Sequence, residues 1–432
     1  MKMSVIGTGY LGATHAGAMA ELGHEVLGVD VDENKVALLA SGQVPFFEPG
    51  LPELLSKHVT SGALRFTTSV QEATAFADLH FVCVGTPQRS GSNAADLTYV
   101  NDAFRSLLQH VRPGAVVVGK STVPVGTAGA LAVDVRAAGA QLVWNPEFLR
   151  EGFAVEDTLR PDRLVMGAED DAALTTLQQA YAPILAAGTP LVITDFATAE
   201  LVKVAANSFL ATKISFINAM AEICETTGAD VTQLATAIGH DDRIGPKFLR
   251  AGLGFGGGCL PKDIRAFMAR AEELGVDQAV SFLKNIDDIN LRRRARTVDL
   301  ALEMCAGSFA GRRVAVLGAA FKPDSDDIRD SPALDVADAI QRGGAAVHVY
   351  DPQAMGNAKN VHPTLAYSSS ALEACDGADA VLHLTEWREF RELRPADLAA
   401  VVRQRNILDG RSILDAATWR DAGWQFRALG RP

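Results

Sequence analysis

Residues 248–263 read Phe-Leu-Arg-Ala-Gly-Leu-Gly-Phe-Gly-Gly-Gly-Cys-Leu-Pro-Lys-Asp, the densest set of groups in the chain able to do covalent chemistry. Gly256, Gly257 and Gly258 strip side chains from the approach to Cys259, so that a substrate or a neighbouring backbone can come close. Lys262, three residues on, favours a thiolate if its ammonium lies near the sulfur. Asp263 adds a carboxylate able to handle a proton. A thiol with a clear approach, a cation and an acid/base group is what covalent carbonyl chemistry requires. The plain alternative is a glycine-rich loop around one inert, buried cysteine, the usual state of a free thiol.

The elements that would position such a group begin at the N-terminus. Residues 2–6 read as a short buried strand, followed at once by Gly7-Thr8-Gly9-Tyr10-Leu11-Gly12. A helical stretch at 14–22 and a second apolar strand at 25–31, with Asp30 near its end, come next. Strand, G-x-G-x-x-G, helix and an acidic residue 18 positions past Gly12 make a dinucleotide-binding unit. The glycines allow a tight turn and close pyrophosphate approach, with the helix N-terminus facing the phosphates. Asp30 would accept both ribose hydroxyls and repel a 2′-phosphate, selecting NAD over NADP; otherwise it is a solvated carboxylate at a strand end.

Strand–helix alternation continues. The strand at 79–84 ends in Gly85-Thr86-Pro87, and that at 115–120 ends in Ser121-Thr122-Val123-Pro124-Val125-Gly126-Thr127. Both put small hydroxyl residues at carboxyl ends of strands, where ligands bind in open α/β sheets. Residues 141–144 lead into Asn145-Pro146-Glu147-Phe148-Leu149-Arg150-Glu151-Gly152. Glu147 and Glu151, four apart, either face one site or open a charged surface helix.

Residues 195–227 contain neither Gly nor Pro and carry Leu201, Val204, Ala205, Phe209, Ile214, Ile217, Met220 and Ile223 at helical spacing, with Gly228 as the stop. Roughly 33 residues at ~1.5 Å each give a helix of about 50 Å, longer than one small domain needs. Such a helix bridges two domains or packs against a partner chain. Lys203 and Asn207 lie at i, i+4 on one face. Singly each reads as a solvated or capping residue; together they form a cation and an amide donor for a developing alkoxide. Further on, strands at 312–317, 346–350, 380–384 and 406–408 and a helix at 333–342 form a second doubly wound unit without a G-x-G-x-x-G. The expected fold is α/β, with two Rossmann-like doubly wound domains joined by a long central helix. The expected boundaries are 1–195, 196–300 and 301–432.

The 432 residues, 48% hydrophobic and 21% charged, suit a globular chain with ample core. A net charge of −12 excludes nucleic acid as the main partner, because no basic excess exists to neutralise phosphates. Five widely spaced cysteines form neither a disulfide framework nor a CxxC metal pair, so no metal site is expected and the compartment is a reducing one. The first residues read as no signal peptide, and no apolar run reaches the ~20 residues a membrane span needs. The expected location is the cytoplasm.

Taken in order, the motifs resemble those of the UDP-glucose/GDP-mannose dehydrogenase family, essentially from end to end. The resemblance is carried by the N-terminal glycine loop, Glu48-Pro49-Gly50-Leu51, Gly85-Thr86-Pro87, the Ser121–Thr127 run, the Asn145–Gly152 run, Lys203 with Asn207, Arg243-Ile244-Gly245, residues 256–263 and residues 321–332. It implies that the C6 alcohol of a nucleotide sugar is oxidised twice, with two NAD⁺. Cys259 would trap the aldehyde as a thiohemiacetal, a second oxidation would make a thioester, and water would release the acid. Lys203 and Asn207 would stabilise the oxyanions, and Asp263 would assist proton transfer. Glu147 would support the proton steps, and Thr122 would order water and contact the cofactor. Gly7, Gly9, Tyr10, Leu11, Gly12, Asp30, Lys35, Thr86, Glu151, Lys262 and Arg329 would contact NAD. Phe148, Leu149, Arg150, Phe248, Leu249, Gly256 and Lys322 would lie on the sugar-nucleotide side with Glu147, Glu151, Lys203 and Asn207. Arg243 would reach the sugar from a neighbouring subunit of a homodimer.

Departures from the family pattern are Gly258 where Ser is frequent, Ser325 where Thr is usual, Arg293 in place of Gln, and Asp409-Gly410-Arg411-Ser412 in place of an ending in Asn. The Arg243-Ile244-Gly245 stretch and the Phe248-Leu249 lead favour UDP-glucose as substrate, with GDP-mannose the alternative. Gly258 and Pro261-Lys262-Asp263 speak against UDP-N-acetylmannosamine. An alternative of another class is a non-catalytic NAD-binding sensor, against which the joint presence of Cys259, Lys203, Asn207 and Asp263 speaks.

Overall fold

The computed structural model describes residues 1–432. The chain forms two compact units, one of residues 1–206 and 265–275, the other of residues 207–264 and 276–432.

The first unit is built on β1 (Lys2–Ile6), β2 (Glu25–Val29), β3 (Leu64–Thr67), β4 (Leu79–Val82), β5 (Val116–Gly119), β6 (Gln141–Trp144), β7 (Leu164–Ala168) and β8 (Leu191–Thr194). The eight strands lie in the order β3-β2-β1-β4-β5-β6-β7-β8. Met3, Val5, Phe81, Val117, Val118 and Val143 are fully buried, as expected where helices cover both faces of a parallel sheet. Chain order reverses between β1 and β4, the place where open α/β sheets bind ligands. β7 runs antiparallel to β6, a reversal that no strand–helix alternation announces.

The second unit contains β9 (Arg313–Leu317), β10 (Ala346–Tyr350), β11 (Ala366–Tyr367), β12 (Ala380–His383), β13 (Asn406–Asp409) and β14 (Gln425–Ala428). All pair in parallel, in the order β11-β10-β9-β12-β13-β14. This is the doubly wound pattern again, with its reversal between β9 and β12. Its core runs through Val314, Val316, Val336, Ile340, Val349 and Leu382.

The long helix spans Phe196–Thr227, 32 residues, within one position of the expected start. Its N-terminal part belongs to the first unit and its remainder, from Asn207, to the second. A helix at Phe282–Met304 braces the cysteine loop of the second unit. There Asn290 accepts from the backbone of Phe255 at 2.7 Å and donates to its carbonyl at 2.9 Å. No helix of the chain is long and apolar enough to cross a membrane.

Candidate functional site

In the first unit, the loop after β1 has the geometry that its glycines permit. Gly7 adopts φ +85°, in the region favouring glycine. A Cβ on Gly12 would run into the Gly7 carbonyl, so the helix Tyr10–Glu21 packs against the turn only because that position is bare. A Cβ on Gly9 would meet nothing, and no side chain caps this helix. Open space before an uncapped helix N-terminus fits a pyrophosphate.

Asp30 stands one residue past β2 and is 8% exposed. Its carboxylate accepts from the Thr8 backbone at 2.9 Å and from Lys35 Nζ at 3.0 Å. Burial opposes its ionisation, but Lys35 and the Thr8 and Asp32 backbone N–H groups outweigh that and hold the carboxyl below its ordinary value. Lys35, expected at the cofactor, orients Asp30.

The strand-end loops are pinned to one another. Thr86 donates to the Thr122 carbonyl at 2.8 Å. Glu147 accepts from Lys203 Nζ at 3.1 Å and from the Leu149 backbone at 2.8 Å. Lys203 is 5% exposed, and its ammonium also lies 5.5 Å from the Phe148 ring centre. Of the two readings for the paired glutamates, Glu147 thus faces a buried cation rather than opening a surface helix. Glu151 is half-buried beside Tyr10, whose phenol is pushed far above its ordinary value by burial and then by the Glu48 carboxylate. Arg150 is committed to Asp157 at 2.6 Å.

Three positioning groups in this unit carried no assigned role in the sequence reading. Glu48, 2% exposed, accepts from Gly152 N–H at 2.6 Å, Ala154 N–H at 2.7 Å and the Tyr10 hydroxyl, tying the Glu147 loop to the glycine-loop helix. Glu200, one turn before Lys203, accepts from Gly126 N–H at 2.7 Å and Ala128 N–H at 2.6 Å. Lys120 is buried behind the Thr122 and Glu147 loops. The available signals were Glu48 within a Glu-Pro-Gly-Leu motif and a charged residue at each strand or helix position otherwise expected to be apolar.

In the second unit, Cys259 immediately precedes the helix Leu260–Glu273 and is exposed. Cys83, Cys224, Cys305 and Cys375 are buried, and burial pushes all four thiols up, Cys83 and Cys375 to about 12. The description of a buried thiol therefore fits those four, whereas Cys259 is exposed. Asp263, whose N–H donates to the Cys259 carbonyl at 2.9 Å, lies one turn into the helix. Its carboxylate is 2% exposed and accepts from Asn207 Nδ2 and from Lys262 Nζ, each at 2.6 Å.

The three glycines admit close approach by the 321–332 segment, through its backbone at Gly256 and through side chains at Gly257 and Gly258. A Cβ on Gly256 would strike the Asp330 carbonyl, one on Gly257 the Phe321 ring at 2.8 Å, and one on Gly258 the Arg329 guanidinium. Gly258 thus leaves room for Arg329, which is held by Asp327 at 2.7 Å. Lys322 lies over the Phe321 ring at 5.4 Å. Arg411, from the Asp-Gly-Arg-Ser run, donates to the carbonyls of Gly254 and Phe321, each at 3.0 Å, and so clips the cysteine loop to the 321–332 segment. Leu249 is buried, whereas Phe248 is 40% exposed with φ +65°, an uncommon conformation for an aromatic residue. Arg243 is exposed and paired with Asp241 at 2.6 Å.

Chemically, the first unit offers a nucleotide cradle and a buried Lys–Glu pair. The second offers an accessible thiol with a buried carboxylate one turn away. Comparison with known proteins matches the NAD binding domain of the UDP-glucose/GDP-mannose dehydrogenase family to residues 1–185, its central domain to 197–292 and its UDP binding domain to 315–416. A UDP-glucose 6-dehydrogenase of Rhizobium meliloti is 42% identical, with all of both chains covered. One from Bacillus subtilis is 40% identical over all of this chain and 93% of its own. Among solved structures, a UDP-glucose dehydrogenase of Pyrobaculum islandicum superposes with a TM-score of 0.91 at 38% identity, covering 100% of this chain and 98% of its own.

Proposed function

Given that the chain belongs to the UDP-glucose/GDP-mannose dehydrogenase family, we propose that it oxidises the C6 alcohol of UDP-glucose to the carboxylate of UDP-glucuronate, with Cys259 as nucleophile. The observation that carries the reading is the exposed thiol of Cys259 at a helix start, in a chain whose other four cysteines are buried. The positive end of a helix favours an anion such as a thiolate.

NAD⁺, when bound, accepts the hydride lost from C6 at each oxidation. Gly9 leaves open space for its pyrophosphate, Gly7 and Gly12 allow the tight turn beside it, and Asp30 takes its ribose hydroxyls. Tyr10, Leu11, Lys35, Thr86, Thr122, Glu151, Lys262 and Arg329 complete the proposed contacts. The first oxidation makes an aldehyde, and the Cys259 sulfur adds to its carbon to give a thiohemiacetal. The second converts that adduct to a thioester, and water adds to the thioester carbon, expelling the thiol and leaving the carboxylate. Lys203 and Asn207, one turn apart on the long helix, stabilise the negative oxygen at each stage. Asp263 and Glu147 move the protons. Phe148, Leu149, Arg150, Phe248, Leu249, Gly256 and Lys322 bear on the nucleotide sugar.

A homodimer belongs to the same reading. Phe209, Phe216 and Ile223 are 67%, 47% and 55% exposed, and their spacing puts them on one stripe of the long helix. A second copy covering that stripe would bury it, and Arg243 would then serve the partner's sugar site. The test of the activity is NADH formation with UDP-glucose, GDP-mannose, UDP-galactose and UDP-N-acetylmannosamine in turn. UDP-glucose is expected to lead, and turnover of GDP-mannose alone would overturn the assignment.

A further inference from the structure

Lys120 stands just past β5 and is 6% exposed. Its ammonium approaches Asn145 Oδ1 at 2.8 Å, the Tyr181 hydroxyl at 3.3 Å and the Asn145 carbonyl at 3.4 Å. All three partners are neutral oxygens. Asn145 in turn donates to the Val165 carbonyl at 2.8 Å and accepts from Tyr181 at 2.9 Å. A hydrophobic residue would fill this place more cheaply, because burying an ammonium without an adjacent carboxylate is costly. Nothing in the fold of the sheet itself requires a charge here, since Lys120 N–H and Asn145 N–H already extend the strand pairing, to Val82 at 3.0 Å and Gly119 at 2.8 Å.

What the charge does is set by its neighbours. Thr122 follows Lys120 by two residues, and Glu147 follows Asn145 by two. The ammonium therefore ties together the two loops that carry these groups, at the point where their backbones leave the sheet. The charged and titratable groups around it are Glu147 and Lys203 on the site side, with Cys83, Tyr181 and His15 also facing it; burial and then the Lys120 charge hold the His15 imidazole well below its ordinary value. Resting on the activity proposed above, we infer that Lys120 is a positioning residue of the reaction. It clamps the Thr122 and Glu147 loops into one frame and contributes its charge to the field at Glu147 and Lys203.

Titration supports the inference. Burial, with Lys203 adding to it, brings the Lys120 ammonium down from its ordinary value to about 8, while Cys83 and Glu147 pull the other way. Below that pH it holds all three acceptors with a positive charge. Above it, one donor and the charge are lost, and Lys203 is relieved of a like-charged neighbour.

The test compares wild type, Lys120→Met and Tyr181→Phe. With UDP-glucose and NAD⁺, Lys120→Met is expected to lose tenfold or more in kcat while both KM values stay within about threefold, since misplacing a group by about 1 Å can cost ~10²-fold. The wild-type kcat profile should bend near pH 8, Lys120→Met should lack the bend, and Tyr181→Phe should move it lower. Independently of activity, NMR of lysine labelled with ¹³C at Cε should find one resonance titrating near pH 8 that vanishes in Lys120→Met. If wild type forms no NADH, the activity reading fails while the NMR titration still decides whether a buried lysine ionises there. Unchanged kcat and an unchanged pH profile in Lys120→Met, or no lysine titrating below pH 9, would overturn the inference.

Discussion

Removing the Glu48 carboxylate should cost both stability and turnover, in amounts set by how many donors it leaves stranded. Three donors converge on it: Gly152 N–H at 2.6 Å, Ala154 N–H at 2.7 Å and the Tyr10 hydroxyl. In Glu48→Ala the Gly152 N–H keeps the Tyr10 oxygen, 3.1 Å away, as an acceptor. Ala154 N–H and the Tyr10 hydroxyl lose theirs. At about 1–3 kcal/mol for each buried donor left unmet, the expected loss is about 2–6 kcal/mol, with water entering the cavity drawing it to the lower half. Glu48→Gln keeps one carbonyl oxygen but turns an NH₂ towards a donor, so about half that loss is expected. Tyr10→Phe strands no donor and should cost about 1 kcal/mol. Urea denaturation at constant slope measures the three values. Because the same carboxylate fixes the loop that carries Glu147, kcat should fall at least tenfold in Glu48→Gln, with the KM for NAD⁺ raised through Tyr10. If Glu48→Ala is within 0.5 kcal/mol of wild type on the ~1 kcal/mol scale of one hydrogen bond and its kcat is unchanged, the bonding seen here does not hold the loop.

Other outcomes follow from the same geometry. Asp30 should make kcat/KM with NAD⁺ far exceed that with NADP⁺; comparable values would sink the role given to its carboxylate. Since Asp30's carboxyl is held below its unfolded value, its stabilising contribution is full above the unfolded pKa, ~3.9, and is lost as pH falls through the folded one. The acid limb of a stability–pH curve should therefore be shallower in Asp30→Asn, and an identical limb would contradict this. Replacing Phe209, Phe216 and Ile223 together by Ser should convert a dimer to monomer in light scattering at micromolar concentration. A wild type already monomeric and fully active would refute the pairing of long helices.

Strand positions were legible wherever glycine or proline punctuates an apolar run. β1, β6 and β10 begin and end where the sequence places them. The long helix was equally legible, because the absence of Gly and Pro and the stop at Gly228 are local facts. Direction was not: whether Leu164–Ala168 runs parallel or antiparallel to β6 depends on its route between strands, which side-chain alternation does not encode. The candidate site divides in the same way. Residue types at 259, 263, 203 and 207 were readable, but their partners are distant in sequence. Asn207 finds Asp263 across 56 positions, and Arg411 finds Gly254 across 157. The glycines before Cys259 show the difference clearly. They announce a close approach, while the identity of what approaches, residues 321–332, is a property of the folded chain.

The central claim is that the Cys259 sulfur carries the sugar between the two oxidations. It is tested most directly by following NADH and intact protein mass together after mixing Cys259→Ser with UDP-glucose and NAD⁺. The first oxidation needs no nucleophile, and a serine hydroxyl is a poor nucleophile and a poor leaving group. Steady turnover should therefore collapse, with at most one NADH per protein chain where the serine does not capture the aldehyde, and at most two, with a slowly hydrolysing ester adduct in the mass spectrum, where it does. Turnover at near wild-type rate, giving two NADH per UDP-glucose with no adduct, would mean that the thiol is structural and the covalent route is wrong.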